Sequence, residues 1–321
     1  MTYRNSLQGR FVATGYPAAG MAFVSIILWA AAALLAIDGY NPLPGILPLG
    51  FWSSRLLSQV FYVLTAFLLG QLYVLERRAQ WLPSLFMWFT AVFMFVQPCY
   101  TVALSVLLLL LSVAQLLSCV ADKGQERAVF GAFAMLSFSS LLCVQSVLLL
   151  PMFFVYMFIS RVTGWRNFMA ALLGVATPWW LLLGTVYMFP SFSVMLQPLS
   201  SSGEAVVSFT GFSCPPVFYA WVAVEFVVWA VATYIFASSF YPAKTLLRRR
   251  FLFFILLNVY LMLLTFAVPH NFLLFLVWRM PGLAIMTSYI FAMKVTKLSN
   301  IFFISLNAVW LLIAFVCLWI G

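Results

Sequence analysis

The chain has 321 residues, of which 66% are hydrophobic and 7% charged, with a formal net charge of +10. A soluble domain carries about 25% charged residues and a disordered chain needs low hydrophobicity, so both classes are excluded. With 34 Phe, 12 Trp and 14 Met, the chain reads as an all-α, polytopic membrane protein. Its continuous apolar runs exclude a membrane β-barrel, whose strands alternate apolar and polar residues. The basic excess reads as cytoplasmic loop charge rather than a nucleic-acid surface.

Met1–Tyr16 is polar, carries Arg4 and Arg10, and reads as a cytoplasmic segment (1–16). The run Pro17–Ile37 is long for a signal-peptide core and is taken as an uncleaved first span. Eleven spans are predicted, at 18–37, 56–75, 82–97, 100–120, 128–143, 146–160, 167–189, 217–238, 251–268, 272–293 and 301–320. They form a single integral membrane domain over 1–321, with main outer loops at 38–55 and 190–216. The pieces 82–97 and 146–160 are short for a hydrocarbon core of about 30 Å.

The stretch 128–160 decides the parity, being long for one span and short for two. If it crosses twice and the N-terminus is inside, the inner side holds fourteen of the sixteen basic residues, among them Arg77, Arg78, Arg161, Arg166 and Arg248–Arg250. Crossing once would move Arg161, Arg166 and Arg248–Arg250 outside. Positive-inside bias selects the first threading: eleven crossings, N-terminus inside and C-terminus outside. Lys244, Arg248, Arg249 and Arg250 then form an inner cluster suited to anionic lipid headgroups.

The cysteines are Cys99, Cys119, Cys143, Cys214 and Cys317, without a CxxC, and His270 is the sole histidine. No metal site or cofactor is expected from that set. The cysteines read as buried thiols, with a Cys143–Cys214 disulfide at the outer face as the alternative.

Two ionisable residues fall inside predicted spans, Glu225 and Arg279. Each costs about 2.5–3.5 kcal/mol near a helix centre by insertion scales. They lie at nearly equal depth below the outer ends of their spans and have opposite signs, so an ion pair is predicted. One reading is a pair that fixes helix packing; the other is a polar, outward-facing cavity in which Arg279 receives an anionic group. His270 caps Arg279's span on the outer side, and Asp38, at the outer end of the first span, stands above. Arg55 is an alternative partner for Asp38. Trp221 and Trp229 lie one turn to either side of Glu225, and Trp179 and Trp180 follow the break at Pro178. These four are candidate pocket-lining aromatics. Asn258 and Asn307 read as interhelical hydrogen-bonding residues. The breaks at Gly174/Pro178 and Pro281/Gly282 are positions where transporters place sites.

No Walker A loop, HExxH or GxSxG is present, so nucleotide-driven chemistry on the inner side is not expected. The Glu76-Arg77-Arg78 turn, the Arg166-Asn167-Phe168 start of the seventh span and its Pro178-Trp179-Trp180 run carry a resemblance over residues 56–189. On these the chain resembles a poorly characterised family of polytopic inner-membrane proteins of Bacteroidetes. That resemblance implies a bacterial cytoplasmic membrane location and no particular activity. In architecture the chain is also similar to C-superfamily membrane glycosyltransferases, which use polyprenyl-phosphate-linked sugars and an acidic residue of the first outer loop. That likeness implies a catalytic role for Asp38 and a lipid-phosphate contact for Arg279. Asp38 lacks the second acid of a DxD-type pair, and the loop is short.

Three classes therefore remain open, and whether there is a reaction at all is left undecided. They are an enzyme acting on a lipid-linked substrate at an outward-facing site, a transporter or flippase of an amphipathic substrate, and a non-catalytic subunit that partners other membrane proteins.

Overall fold

A computed structural model describes residues 15–35, 51–72, 82–91, 100–119, 125–189, 216–238, 245–268, 271–293 and 297–320. Asp38, His270, Cys99, Cys214, Glu76–Arg78 and Lys244 lie outside them. The described residues are helical: α1 (Gly15–Leu35), α2 (Phe51–Gln71), α3 (Leu82–Ala91), α4 (Tyr100–Ser118), α5 (Gln125–Leu142), a 3₁₀ helix (Val144–Leu149), α6 (Leu150–Ile159), α7 (Trp165–Met188), α8 (Pro216–Ser238), α9 (Thr245–Ala267), α10 (Phe272–Met293) and α11 (Lys297–Ile320). Helices satisfy their own backbone, which an apolar medium requires. Six of them, α2, α4, α7, α8, α9 and α10, are long and apolar enough to cross a membrane.

The central element is α10, whose apolar stretch is 94% buried. It packs against α3, α4, α8, α9 and α11. Short α3 is almost wholly buried as well, between α1, α2 and α10. Its ten described residues rise about 15 Å.

Residues 125–189 fold as a hairpin followed by a long helix. The backbone turns at Cys143, where φ is −137° and ψ 101°. The 3₁₀ helix then runs back along α5, with the Ser139 and Ser146 hydroxyls 2.9 Å apart across the turn. The returning arm, six 3₁₀ and ten α-helical residues, spans about 27 Å, the same as the 18 residues of α5. Gln145 Nε2 donates to Asn271 Oδ1 at 3.3 Å, which puts the hairpin tip at the N-terminal end of α10. At the other end, Asn167 Nδ2 donates to Gln125 Oε1 at 3.5 Å, so α5 and α7 start together. The 3₁₀ geometry is what stretches the second arm of an otherwise short segment to match the first.

The return arm ends in a Schellman turn. Arg161 sits at φ 59°, where glycine is usual. The Val162 N–H donates to the Met157 carbonyl at 3.0 Å and the Arg161 N–H to Phe158 at 3.1 Å. Buried Val162 and Met157 close the motif.

Between α5 and α7 the contact is backbone-close. A Cβ on Gly174 would lie 2.6 Å from the Phe130 carbonyl oxygen. Ser137 Oγ donates to the Val175 carbonyl at 2.7 Å, one residue from the Gly174 carbonyl that Pro178 leaves without its helical donor. The Gly174/Pro178 break is therefore a seat for α5. Small residues that admit a neighbouring backbone are how apolar helices associate in lipid. Next to it, Ser112 Oγ donates to the Ala132 carbonyl, tying α4 to α5.

Gly174→Leu is expected to lose about 1–3 kcal/mol by overpacking. Gly184→Leu, where an added Cβ meets nothing within 4 Å, should be neutral. Thermal unfolding of the two variants in detergent checks the contrast.

Candidate functional site

Glu225 on α8 and Arg279 on α10 lie about 13 Å and 10 Å from the N-terminal ends of their helices. Arg279 Nη2 and Glu225 Oε2 meet at 2.7 Å, with side-chain exposures of 1% and 4%. The second carboxylate oxygen accepts a hydrogen bond from Trp221 Nε1 at 3.0 Å. Trp221, four residues earlier on α8, stands over the carboxylate as i/i+4 spacing requires.

From Trp221 a run of buried aromatic rings continues across three helices. Trp221 meets Trp310 of α11 edge-on at 4.6 Å, and Trp310 meets Phe89 of α3 at 4.8 Å. All three are buried. In so apolar a setting the Coulomb attraction is strong, but so is the desolvation cost of each ion, and removing one partner leaves a buried charge. The carboxylate is served by two donors. The guanidinium is less completely served: Nε and Nη1 are buried without a hydrogen-bond partner among the described residues. Each such group costs about 1–3 kcal/mol if nothing meets it.

On the adjoining face of α10, Trp278 Nε1 donates to Ser105 Oγ of α4 at 2.9 Å. Ser139 Oγ reaches the Ser105 carbonyl at 3.4 Å and lies beside Ser146. A buried polar track thus runs from the hairpin tip to the residue next to Arg279. These serines were not expected from the sequence as part of a site. The signal available was the density of hydroxyls in α5, at Ser137, Ser139 and Ser140, within an apolar run.

The Pro281-Gly282 break faces α9. A Cβ on Gly282 would collide with the Asn258 amide. The pocket lined by Asn258, Trp278, Pro281 and Gly282 has a volume of about 10 Å³, near the minimum for one water. Asn258 donates to its own helix at Phe254, and Asn307 to Phe303, so among the described residues both bond within a helix.

The other expected site residues are placed as follows. Trp229 is half-buried beside Phe226, with ring centroids 5.6 Å apart. Trp179 is half-buried and Trp180 is 78% exposed on α7, which packs on α5; neither joins the rings that run on from Trp221. Arg55 is fully buried on α2. Asp38 and His270 fall outside the described residues, and with them the outer part of the expected cavity. No group of three or more His, Cys, Asp or Glu that could hold a metal occurs among the described residues. Cys119, just past α4, is buried. It should resist maleimide until the protein is denatured, as mass spectrometry can check.

The chain matches no family model, no curated protein and no solved structure.

Glu225→Arg or Arg279→Glu alone should cost about 3–5 kcal/mol and lower the folded yield. Combining them should restore most of it. Size-exclusion profiles of the three variants report the outcome, and no recovery in the double exchange would mean that the two charges are not coupled.

Proposed function

We propose that the chain is an inner-membrane protein with eleven crossings, its N-terminus inside, that holds an anionic lipid-linked group at an outward-facing site centred on Arg279. The supporting observation is the guanidinium: buried in the apolar interior, paired through one nitrogen, and with Nε and Nη1 unmet among the described residues. An ion held at that depth is expensive unless every donor has an acceptor, and a phosphate oxygen is the acceptor that suits a guanidinium best. On the proposed threading Arg279 lies in the outer half of its span, and Asp38 and His270 stand on the same side. The common end shared by the α5 and α7 starts favours two crossings over 125–160, as the charge distribution requires. The likenesses to Bacteroidetes inner-membrane proteins and to C-superfamily glycosyltransferases agree with this reading. On the second likeness Asp38 is the catalytic acid.

A second reading, a non-catalytic membrane subunit, is favoured by the buried rings of Trp221, Trp310 and Phe89 that run on from the pair. The two diverge for a variant that removes both charges. Glu225→Gln with Arg279→Gln eliminates the buried ions together and should fold. Native mass spectrometry of the purified chain with an added polyprenyl phosphate is expected to show a bound adduct, reduced about ten-fold or more in the double variant. Adducts equal in both proteins would leave the subunit reading standing.

A further inference from the structure

Helices α8 and α11 touch at the Trp221–Trp310 contact and leave a groove of about 250 Å³ beside it. Its lining is Ala223, Val224, Val227 and Val228 on α8, and Phe302, Ser305, Leu306 and Val309 on α11. Val228 and Leu306 form a buried floor, while Val227 and Val309, 49% and 38% exposed, leave the groove open on its outer side. The single hydroxyl, Ser305, donates to the Phe302 carbonyl at 3.0 Å, so nothing in the lining holds water.

We propose that this groove holds one acyl chain of an anionic phospholipid of the cytoplasmic leaflet, with its phosphate at Lys297. The leaflet assignment rests on the threading proposed above. Three observations select this occupant. The lining is hydrocarbon and lies within the span, where the medium is hydrocarbon too. From Phe302 to Val309 the groove is about 10 Å long, too short to seat a helix, which is itself about 10 Å across and needs several turns of contact. Exposed Lys297 begins α11 about 7.5 Å below Phe302 and 18 Å below Val309 along the axis, the depths a chain occupies beneath its headgroup, and about a third of a turn round the helix from the groove, so its stem swings round to meet the phosphate. A lysine at a helix N-terminus is a doubly favourable position for a phosphate.

The test uses the full chain in phosphatidylcholine nanodiscs containing a little phosphatidylglycerol with a diazirine in mid-chain. Photoadducts should concentrate on residues 223–228 and 302–309. Val227→Trp, or Ser305→Phe if the first variant misfolds, fills the groove and should reduce those adducts about ten-fold. Lys297→Glu should reduce them about five-fold for phosphatidylglycerol and leave a diazirine phosphatidylcholine unchanged. Adducts spread evenly over all exposed helices, adducts indifferent to both filling variants, or protein–protein crosslinks through these segments would overturn the groove assignment. Equal labelling by the two lipids in the unsubstituted chain would overturn the anionic headgroup. Lys297→Cys in spheroplasts, compared with the unsubstituted chain, separates this from the threading. Labelling by an impermeant maleimide from outside would sink the orientation while groove adducts persisted.

Discussion

A carboxylate and a guanidinium placed in hydrocarbon must find each other, and the helices that carry them must then stand side by side at one height. Glu225 and Arg279 impose that constraint on α8 and α10, and much of the bundle is arranged to meet it. Trp221, which donates to the carboxylate, packs edge-on against Trp310 of α11, and Trp310 against Phe89 of α3, while α4 receives the indole N–H of the residue next to Arg279. The most buried long helix is therefore the one that carries the arginine.

Away from that pair, apolar side chains give little net preference for a neighbouring helix over lipid, so association needs close backbones and shared hydrogen bonds. Helices α4, α5 and α7 show both devices together. Gly174 brings two helices within backbone distance, and Ser112, Ser137 and Ser139 send their protons across to carbonyls on other helices. Other hydroxyls, such as Thr177 and Thr185, bond only to their own helix. The difference lies in which way each faces, toward a partner or toward the exterior.

That distinction explains what could be read before the fold was known. Apolar runs located every described helix, because length and hydropathy are properties of consecutive residues. The Glu225–Arg279 contact was legible because sign and depth are both counted along the chain. Asn258 and Asn307 are expected to bond between helices, whereas among the described residues each bonds within its own helix, since partners depend on rotation about the helix axis. Trp310 and Phe89 were missed for the same reason: nothing in their local sequence separates a buried ring in the run from Trp221 from an ordinary interfacial ring. Trp180, grouped with pocket aromatics on the strength of Pro178, faces outward because Pro178 and Gly174 serve contact with α5.

The hairpin of α5, the 3₁₀ helix and α6 has a further implication for how the polypeptide reaches its bilayer. Helix α5 begins Gln-Glu-Arg and carries three serines in its second half, and neither arm is among the helices long and apolar enough to cross alone. α7, with Gly174 as the seat, is both long and apolar. A ribosome delivers α5 and then the shorter return arm before α7, so on the proposed threading the first two would have to stay together as a folded pair until the later helix emerges. On the proposed threading, this would make the insertion of these three successive segments cooperative rather than a series of independent partitioning steps.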